Sequence, residues 1–262
     1  MKNPLLLCLF ISFSGYAQSS LERLENSPRH HEWVEIKHGE RTVNSFLVYP
    51  EVSEKVPIVL VIHENRGLND WARSLADQIA EAGYIALAPD LLSGTGPDGG
   101  GTSAFENSDA ARTGIYALEP EQVTADLKAN IEYAKSIAAG NGKVVVIGFC
   151  WGGSQTFRLS TNTNEIQAAF VCYGTGPKAE EAYSNIEVPV YGFYGGNDNR
   201  VNATIDMSKA AMDKFDKIYE PVIYEGAGHG FFRAGESPDA SEANKKAREE
   251  GWKRLKALLA DI

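Results

Sequence analysis

The chain has 262 residues, of which 43% are hydrophobic and 23% charged; that is the composition of a soluble globular protein and the length of one large α/β domain. Its net charge of −10 argues against nucleic acid and anionic membrane surfaces as partners. It leaves a small-molecule substrate of either sign open, because a basic pocket can sit in an acidic protein.

The first residues read as a targeting segment. Lys2 supplies a positive start, and Leu5 to Phe13 form an apolar run too short to span a bilayer comfortably. Gly15-Tyr16-Ala17 then offers small residues where a signal peptidase reads. The expectation is a signal peptide over 1–17, cleaved before Gln18, with a single domain over 18–262 in the periplasm or outside the cell. There is no twin-arginine pair, and Cys8 sits too early in the apolar run for a lipoprotein acceptor, so no membrane attachment is expected after cleavage. Cys150 and Cys172 remain in the mature chain. Exported proteins commonly pair their cysteines, so a Cys150–Cys172 disulfide is one reading. A reduced Cys150 beside an inert, buried Cys172 is the preferred one.

Residues 32–37 and 43–49 mostly alternate apolar and polar side chains around His38-Gly39-Glu40, which predicts an antiparallel hairpin at a sheet edge. His30, His31 and His38 lack metal-ligand spacing and read as surface histidines on a strand. From Pro57 the pattern changes to strands alternating with helices. Apolar runs predict strands over 58–62, 84–88, 143–147, 168–172, 188–194 and 221–224. Amphipathic periodicity predicts helices over 70–82, 119–139, 203–215 and 243–259. The glycine-rich stretch 93–101 lacks a Gly-Lys-Ser/Thr ending, so it reads as a mobile rim rather than a phosphate cradle. Repeated βα units imply one mainly parallel sheet with helices on both faces, and active sites in such sheets form at the carboxyl ends of the strands.

Between the strand at 143–147 and a helix continuing from Ser154 lies Gly148-Phe149-Cys150-Trp151-Gly152-Gly153. Strand, tight turn, helix, with glycines on both sides of a central residue, is the pattern of a nucleophile elbow, here with cysteine at its apex. Alone this pattern is weak, since cysteines are often buried and glycines end many strands. Two later loops strengthen it. Gly195-Gly196-Asn197-Asp198-Asn199-Arg200-Val201 and Glu225-Gly226-Ala227-Gly228-His229-Gly230-Phe231 each follow a predicted strand. The chain order Cys150, Asp198, His229 is the nucleophile, acid, histidine order of α/β-hydrolases. A thiol needs a base to become a nucleophile; His229 can serve, with Asp198 fixing its tautomer. Oxyanion donors are expected from the backbone N–H of Trp151 and from the loop after Ile62, at Asn65.

The segments His63-Glu64-Asn65-Arg66-Gly67-Leu68-Asn69, Gly148 to Gly153, Gly196 to Val201 and Ala227 to Phe231 together resemble the dienelactone hydrolases (carboxymethylenebutenolidases) of the α/β-hydrolase fold. The likeness runs from about Val43 to the last helix. It implies hydrolysis of a small ester or enol-lactone through an acyl-thioester on Cys150, without metal or organic cofactor. It implies that Glu64 accepts the thiol proton when substrate binds, and that Arg233 holds a substrate carboxylate, a task suited to the guanidinium fork. Arg112 is the candidate for a second family arginine. A monomer acting on a small, carboxylate-bearing ester or lactone is expected. The signal peptide and the glycine-rich rim depart from the family pattern, so another small ester or a thioester is an alternative substrate. The competing readings are a non-catalytic exported binding protein on the same fold and, more weakly, a redox-sensing thiol.

Overall fold

The computed structural model describes residues 19–262; the expected signal segment and its cleavage point lie outside them. The two kinds of strand pattern in the sequence become two parts of one sheet. The alternating runs form β1 (His31–His38) and β2 (Arg41–Val48), paired antiparallel from His31–Val48 to His38–Arg41. The apolar runs form β3 (Val56–Ile62), β4 (Ile85–Pro89), β5 (Gly140–Phe149), β6 (Ala169–Cys172), β7 (Val190–Gly195) and β8 (Tyr219–Tyr224). These six pair in parallel, and β2 joins β4 antiparallel, giving the order β1-β2-β4-β3-β5-β6-β7-β8. The expected hairpin therefore sits at one edge of a mainly parallel sheet.

The helices are α1 (Ser20–Glu25), α2 (Asp70–Glu81), α3 (Ser108–Tyr116), α4 (Pro120–Ser136), α5 (Trp151–Ser160), α6 (Asn199–Asn202), α7 (Ile205–Lys214), α8 (Phe231–Ala234) and α9 (Glu242–Ala260). Alternation along β3 separates two cores. Val59 and Val61 pack with Trp71, Leu75 and Ile79 of α2 and Trp252, Leu255 and Leu259 of α9. Ile58, Leu60 and Ile62 pack with Leu127 and Ile131 of α4, Phe157 of α5 and Met212 of α7. Both faces of the central strands are thus buried, which is why those strands are continuously apolar.

Several boundaries differ from the sequence expectation for local reasons. The helix expected to reach residue 139 ends at Ser136, because Ile137 takes extended dihedrals, and β5 begins at Gly140. A side chain at Gly140 would meet Ile58 Cδ1 at 2.4 Å. The helix expected over 203–215 forms as α7, which starts only at Ile205, and a separate short α6, capped by Asp198, precedes it. Helix α3 was not expected. Only Ala111 and Ile115 of it are buried, too narrow a stripe to give a periodic signal. The glycine-rich rim runs into two short 3₁₀ turns, Pro97–Gly99 and Thr102–Ala104, just before it.

The histidines of the hairpin need correction. His30 is a surface residue, but His31 Nε2 lies 2.8 Å from Asp77 of α2 and His38 Nε2 lies 2.7 Å from Asp126 of α4. Each buried carboxylate also takes an arginine: Arg29 grips Asp77 through Nε and Nη2 at 2.9 and 2.7 Å, and Arg41 Nε reaches both oxygens of Asp126 at 2.8 Å. Positions 31 and 38 fall on opposite faces of β1. The edge strand is therefore pinned to a helix on each side of the sheet.

Burial alone would raise the Asp77 pKa, but hydrogen bonds from Arg29, Ser27 and His31 outweigh it and hold the carboxyl below its ordinary range. Asp77→Ala should lower stability at pH 7 by about 3 kcal/mol, the low end for breaking a buried pair, because Arg29 and His31 can rehydrate. Urea unfolding reads this. The sign with pH follows from the depressed pKa: the contribution is complete above the unfolded value of about 3.9 and is lost as pH falls through the lower folded value. The gap between wild type and Asp77→Ala should therefore close on the acid side.

Candidate active site

Every candidate loop leaves the sheet at the carboxyl end of a parallel strand. At the end of β5, Cys150 has φ 57° and ψ −114°, a conformation rarely adopted by a residue with a side chain. The flanking glycines make it possible by close approach. A Cβ on Gly148 would stand 2.1 Å from the Gly152 carbonyl oxygen, and one on Gly152 would stand 2.3 and 2.4 Å from the carbonyl oxygens of His63 and Ile62. The Cys150 N–H donates to the Cys172 carbonyl at 3.0 Å, tying the turn to β6. The elbow read from the sequence is present, and its first helical turn packs on the end of β3, next to the loop that carries Glu64 and Asn65.

Asp198 follows β7 and is buried. Its Oδ1 caps the Val201 N–H at 3.4 Å, and its Oδ2 lies 2.5 Å from His229 Nδ1. His229 follows β8 in a loop turned at Gly226 and Gly230, with φ 72° and 75°. The two loops are joined by Asn197, whose backbone N–H donates to the Ala227 carbonyl and whose amide donates to Gly226, both at 2.9 Å. An ionised carboxylate can only accept, so a neutral His229 carries its proton on Nδ1 and presents the Nε2 lone pair elsewhere. That nitrogen lies 3.1 Å from Cys150 Sγ. The structure thus brings together the three residues the sequence singled out.

Burial, and after it the negative charge of Glu64, push the Cys150 thiol pKa up; the Trp151 N–H and the charges of Arg200 and Arg233 pull the other way without cancelling that rise. Burial and the Glu64 carboxylate thus favour the thiol over the thiolate. Glu64, itself buried, accepts from Arg233 Nε at 2.9 Å through Oε2, and Tyr173 Oη lies 3.4 Å from its Oε1. The Glu64 backbone is fixed by the neighbouring histidine. Burial drives the His63 pKa down, and with Nε2 accepting from the Leu91 N–H at 3.3 Å, Nδ1 donates to the Glu64 carbonyl at 2.8 Å. The His63 ring also stacks on Trp151, 5.7 Å between centroids. Further along the same loop, Leu68 N–H donates to Thr102 Oγ1, which donates to Asp90. The loop is held at both ends.

Of the expected oxyanion donors, the Trp151 N–H bears on the sulfur, while Asn65 lies on the loop after β3 with its side-chain amide 3.2 Å from Tyr116 Oη. Arg112 fares differently. It is on the exposed face of α3, its guanidinium 5.8 Å from the Tyr116 ring centroid, and among its described contacts none is with Cys150, His229 or Glu64. Cys150 and Cys172 are both free thiols, and burial raises the Cys172 pKa well above the ordinary value, leaving it inert. Among the described residues no group of three or more His, Cys, Asp or Glu side chains is placed to hold a metal ion, and no helix is long and apolar enough to cross a membrane.

Three residues near the site were given no role by the sequence reading. His63 sits at a strand end where any residue might. Tyr173 follows β6 with φ 41°, fully buried, its ring 5.1 Å from that of His229 and its hydroxyl near Glu64. Arg200 is exposed two residues past Asp198, and its positive charge acts to lower the Cys150 pKa.

Comparison with known proteins agrees with this geometry. The sequence profile of the dienelactone hydrolase family matches residues 43–262. A candidate carboxymethylenebutenolidase of Saccharolobus solfataricus is 30% identical over 263 residues, covering 84% of this chain and 94% of that protein. One from Escherichia coli K12 is 29% identical over 215 residues, covering 76% of this chain and 75% of the other. Among solved structures, a candidate dienelactone hydrolase from Klebsiella pneumoniae superposes with a TM-score of 0.77 at 24% identity, covering 89% of this chain and 99% of its own. A dienelactone hydrolase-like promiscuous phosphotriesterase from metagenomic libraries gives 0.75 at 22% identity, covering 89% and 98%. These last two speak for the fold.

Proposed function

The chain belongs to the dienelactone hydrolase family and is a hydrolase of ester or lactone bonds on the α/β-hydrolase fold; from that premise we propose that it is an exported cysteine hydrolase of small esters or enol-lactones, acting through an acyl-thioester on Cys150. The observation that carries this reading is the line Asp198–His229–Cys150, 2.5 Å and then 3.1 Å, ending on a sulfur held in a strained turn.

The chemistry proceeds in two halves. In the resting enzyme Arg233 neutralises Glu64 and the sulfur stays protonated. A substrate carboxylate competes for Arg233, and Glu64, released from its cation, takes the Sγ–H proton. The thiolate attacks the carbonyl carbon, and the N–H groups of Trp151 and Asn65 hold the oxyanion. The C–O bond then breaks, leaving the acyl-thioester, and the proton that left the sulfur ends on the departing oxygen. In the second half His229 Nε2 takes a proton from water, hydroxide attacks the thioester, and the acid leaves as the thiol is restored. Asp198 holds the His229 tautomer throughout.

Export is supported by Lys2, the apolar run after it and the small residues at 15–17. The relatives named for carboxymethylenebutenolidase activity support a lactone carrying a carboxylate. The test uses exported protein, whose first residue should read Gln18, against esters, lactones and thioesters with and without a carboxylate. Carboxylate-bearing esters and lactones should give the highest kcat/KM, and acid quenching should trap one acyl group on Cys150, read by mass. Binding of these compounds with turnover of none would instead favour a non-catalytic binding protein.

A further inference from the structure

The mechanism leaves one buried imidazole at the catalytic edge without a task. His63 follows β3 and is fully buried, which disfavours its cation. Its two ring nitrogens are differently engaged. The Leu91 N–H can only donate, so it takes the Nε2 lone pair at 3.3 Å. The proton then sits on Nδ1, 2.8 Å from the Glu64 carbonyl oxygen. Two backbone partners thus select one tautomer.

What the Nδ1 bond holds is the peptide unit between Glu64 and Asn65. Among the described residues no peptide bond is cis, and in a trans peptide the carbonyl and the N–H point in opposite directions in one plane. Anchoring the Glu64 carbonyl on Nδ1 therefore turns the Asn65 N–H away from the imidazole and fixes its line. Among the described residues that N–H has no acceptor, so it is left for a ligand oxygen; the Asn65 side chain is engaged separately, with Tyr116. A carbonyl polarised by a donor also makes the N–H of its own peptide a stronger donor. A face of the same ring lies against the Trp151 indole, with centroids 5.7 Å apart and planes 13° from parallel. The His63 carbonyl in turn packs on the elbow, where a Cβ on Gly152 would stand 2.3 Å from its oxygen. One residue thus reaches both expected oxyanion donors, one through a hydrogen bond and the other through its ring.

We propose that His63 is a positioning residue of the oxyanion hole: its Nδ1–H aims the Asn65 N–H, and its ring braces Trp151. This rests on the thioester reading above, which gives the oxyanion to those two N–H groups. The charge they meet exists only in the tetrahedral intermediates, so His63 acts on kcat and leaves substrate binding alone.

Two variants separate the bond from the ring. His63→Phe keeps a ring against Trp151 and loses the Nδ1–H. His63→Asn carries its amide N–H one bond beyond Cγ, as Nδ1 does, and gives up the ring. On the best ester or lactone, kcat per folded molecule of His63→Phe should fall about 10²-fold, the scale of one lost oxyanion donor, with KM little changed. His63→Asn should regain about tenfold or more of that loss. A carboxylate-bearing trifluoromethyl ketone reads the same charge without turnover: the sulfur bonds to its carbonyl carbon, the π pair moves to oxygen, and the thiol proton passes to Glu64. Its Ki should rise in parallel with the fall in kcat. A loss confined to KM, an unchanged Ki, or a His63→Asn no better than His63→Phe overturns the role. So does nitrogen NMR of the wild type if it places the His63 proton on Nε2 or on both nitrogens, a measurement that needs no variant. Acid quenching of the wild type shows which reading fails. An acyl group on Cys150 beside a kcat indifferent to His63 rejects the positioning alone, and a wild type that never acylates Cys150 rejects the thioester reading and the role with it.

Discussion

Cys150→Ala should lower kcat on the best ester or lactone substrate by about 10⁵-fold, the scale on which removing a covalent nucleophile acts. The size follows from what surrounds the sulfur. Among the described residues no second nucleophile contacts His229 Nε2: Cys172 is buried, and Ser154 Oγ is engaged with Thr175. Alanine keeps the backbone turn, because the close approaches that fix it belong to Gly148 and Gly152. The variant should therefore fold, bind substrate and retain only what the Trp151 and Asn65 N–H groups give. Stopped assays at high enzyme concentration, with thermal unfolding alongside, measure both. Retention of more than a tenth of wild-type kcat by a folded variant would reject a thioester route altogether.

The sequence disclosed this triad because each member stands in a glycine-rich turn after a buried strand. Such turns announce themselves: an apolar β-branched run must stop, and only glycine lets the next element approach. Asp198 and His229 were legible through that punctuation and through their order after Cys150. Arg233 and Glu64 were legible only by family resemblance, and their mutual ion pair is a property of the fold. Tyr173 and His63 act through burial and ring contact, which leave no spacing in the chain. Arg112 shows the reverse failure. Helix α3 turns the residue toward solvent and Tyr116. The hairpin histidines misled for a similar reason, since their partners Asp77 and Asp126 lie on helices 46 and 88 residues away.

Glu64→Gln should produce two effects of opposite sign, and the opposition is what identifies its role. Turnover of carboxylate-bearing substrates should fall by about 10²–10⁴-fold, the range for losing a general base. Thiol reactivity should rise. In the wild type, burial and the Glu64 charge hold the Cys150 pKa up, while Arg233 is occupied with that same carboxylate. Glutamine keeps the shape, removes the like charge and leaves Arg233 unneutralised, so both changes favour the thiolate. The pH profile of iodoacetamide alkylation should therefore move to lower pH, and alkylation at a fixed pH below the wild-type pKa should quicken. Oxidation of Cys150 by peroxide should quicken with it, since thiolate is the species oxidised. A carboxylate that only braces the loop would lower turnover without making the sulfur more reactive, and a solvated bystander would change neither. An enzyme that keeps its sulfur protonated until a carboxylate draws Arg233 away would make nucleophile and ligand arrive together, which suits a thiol exposed to an oxidising compartment.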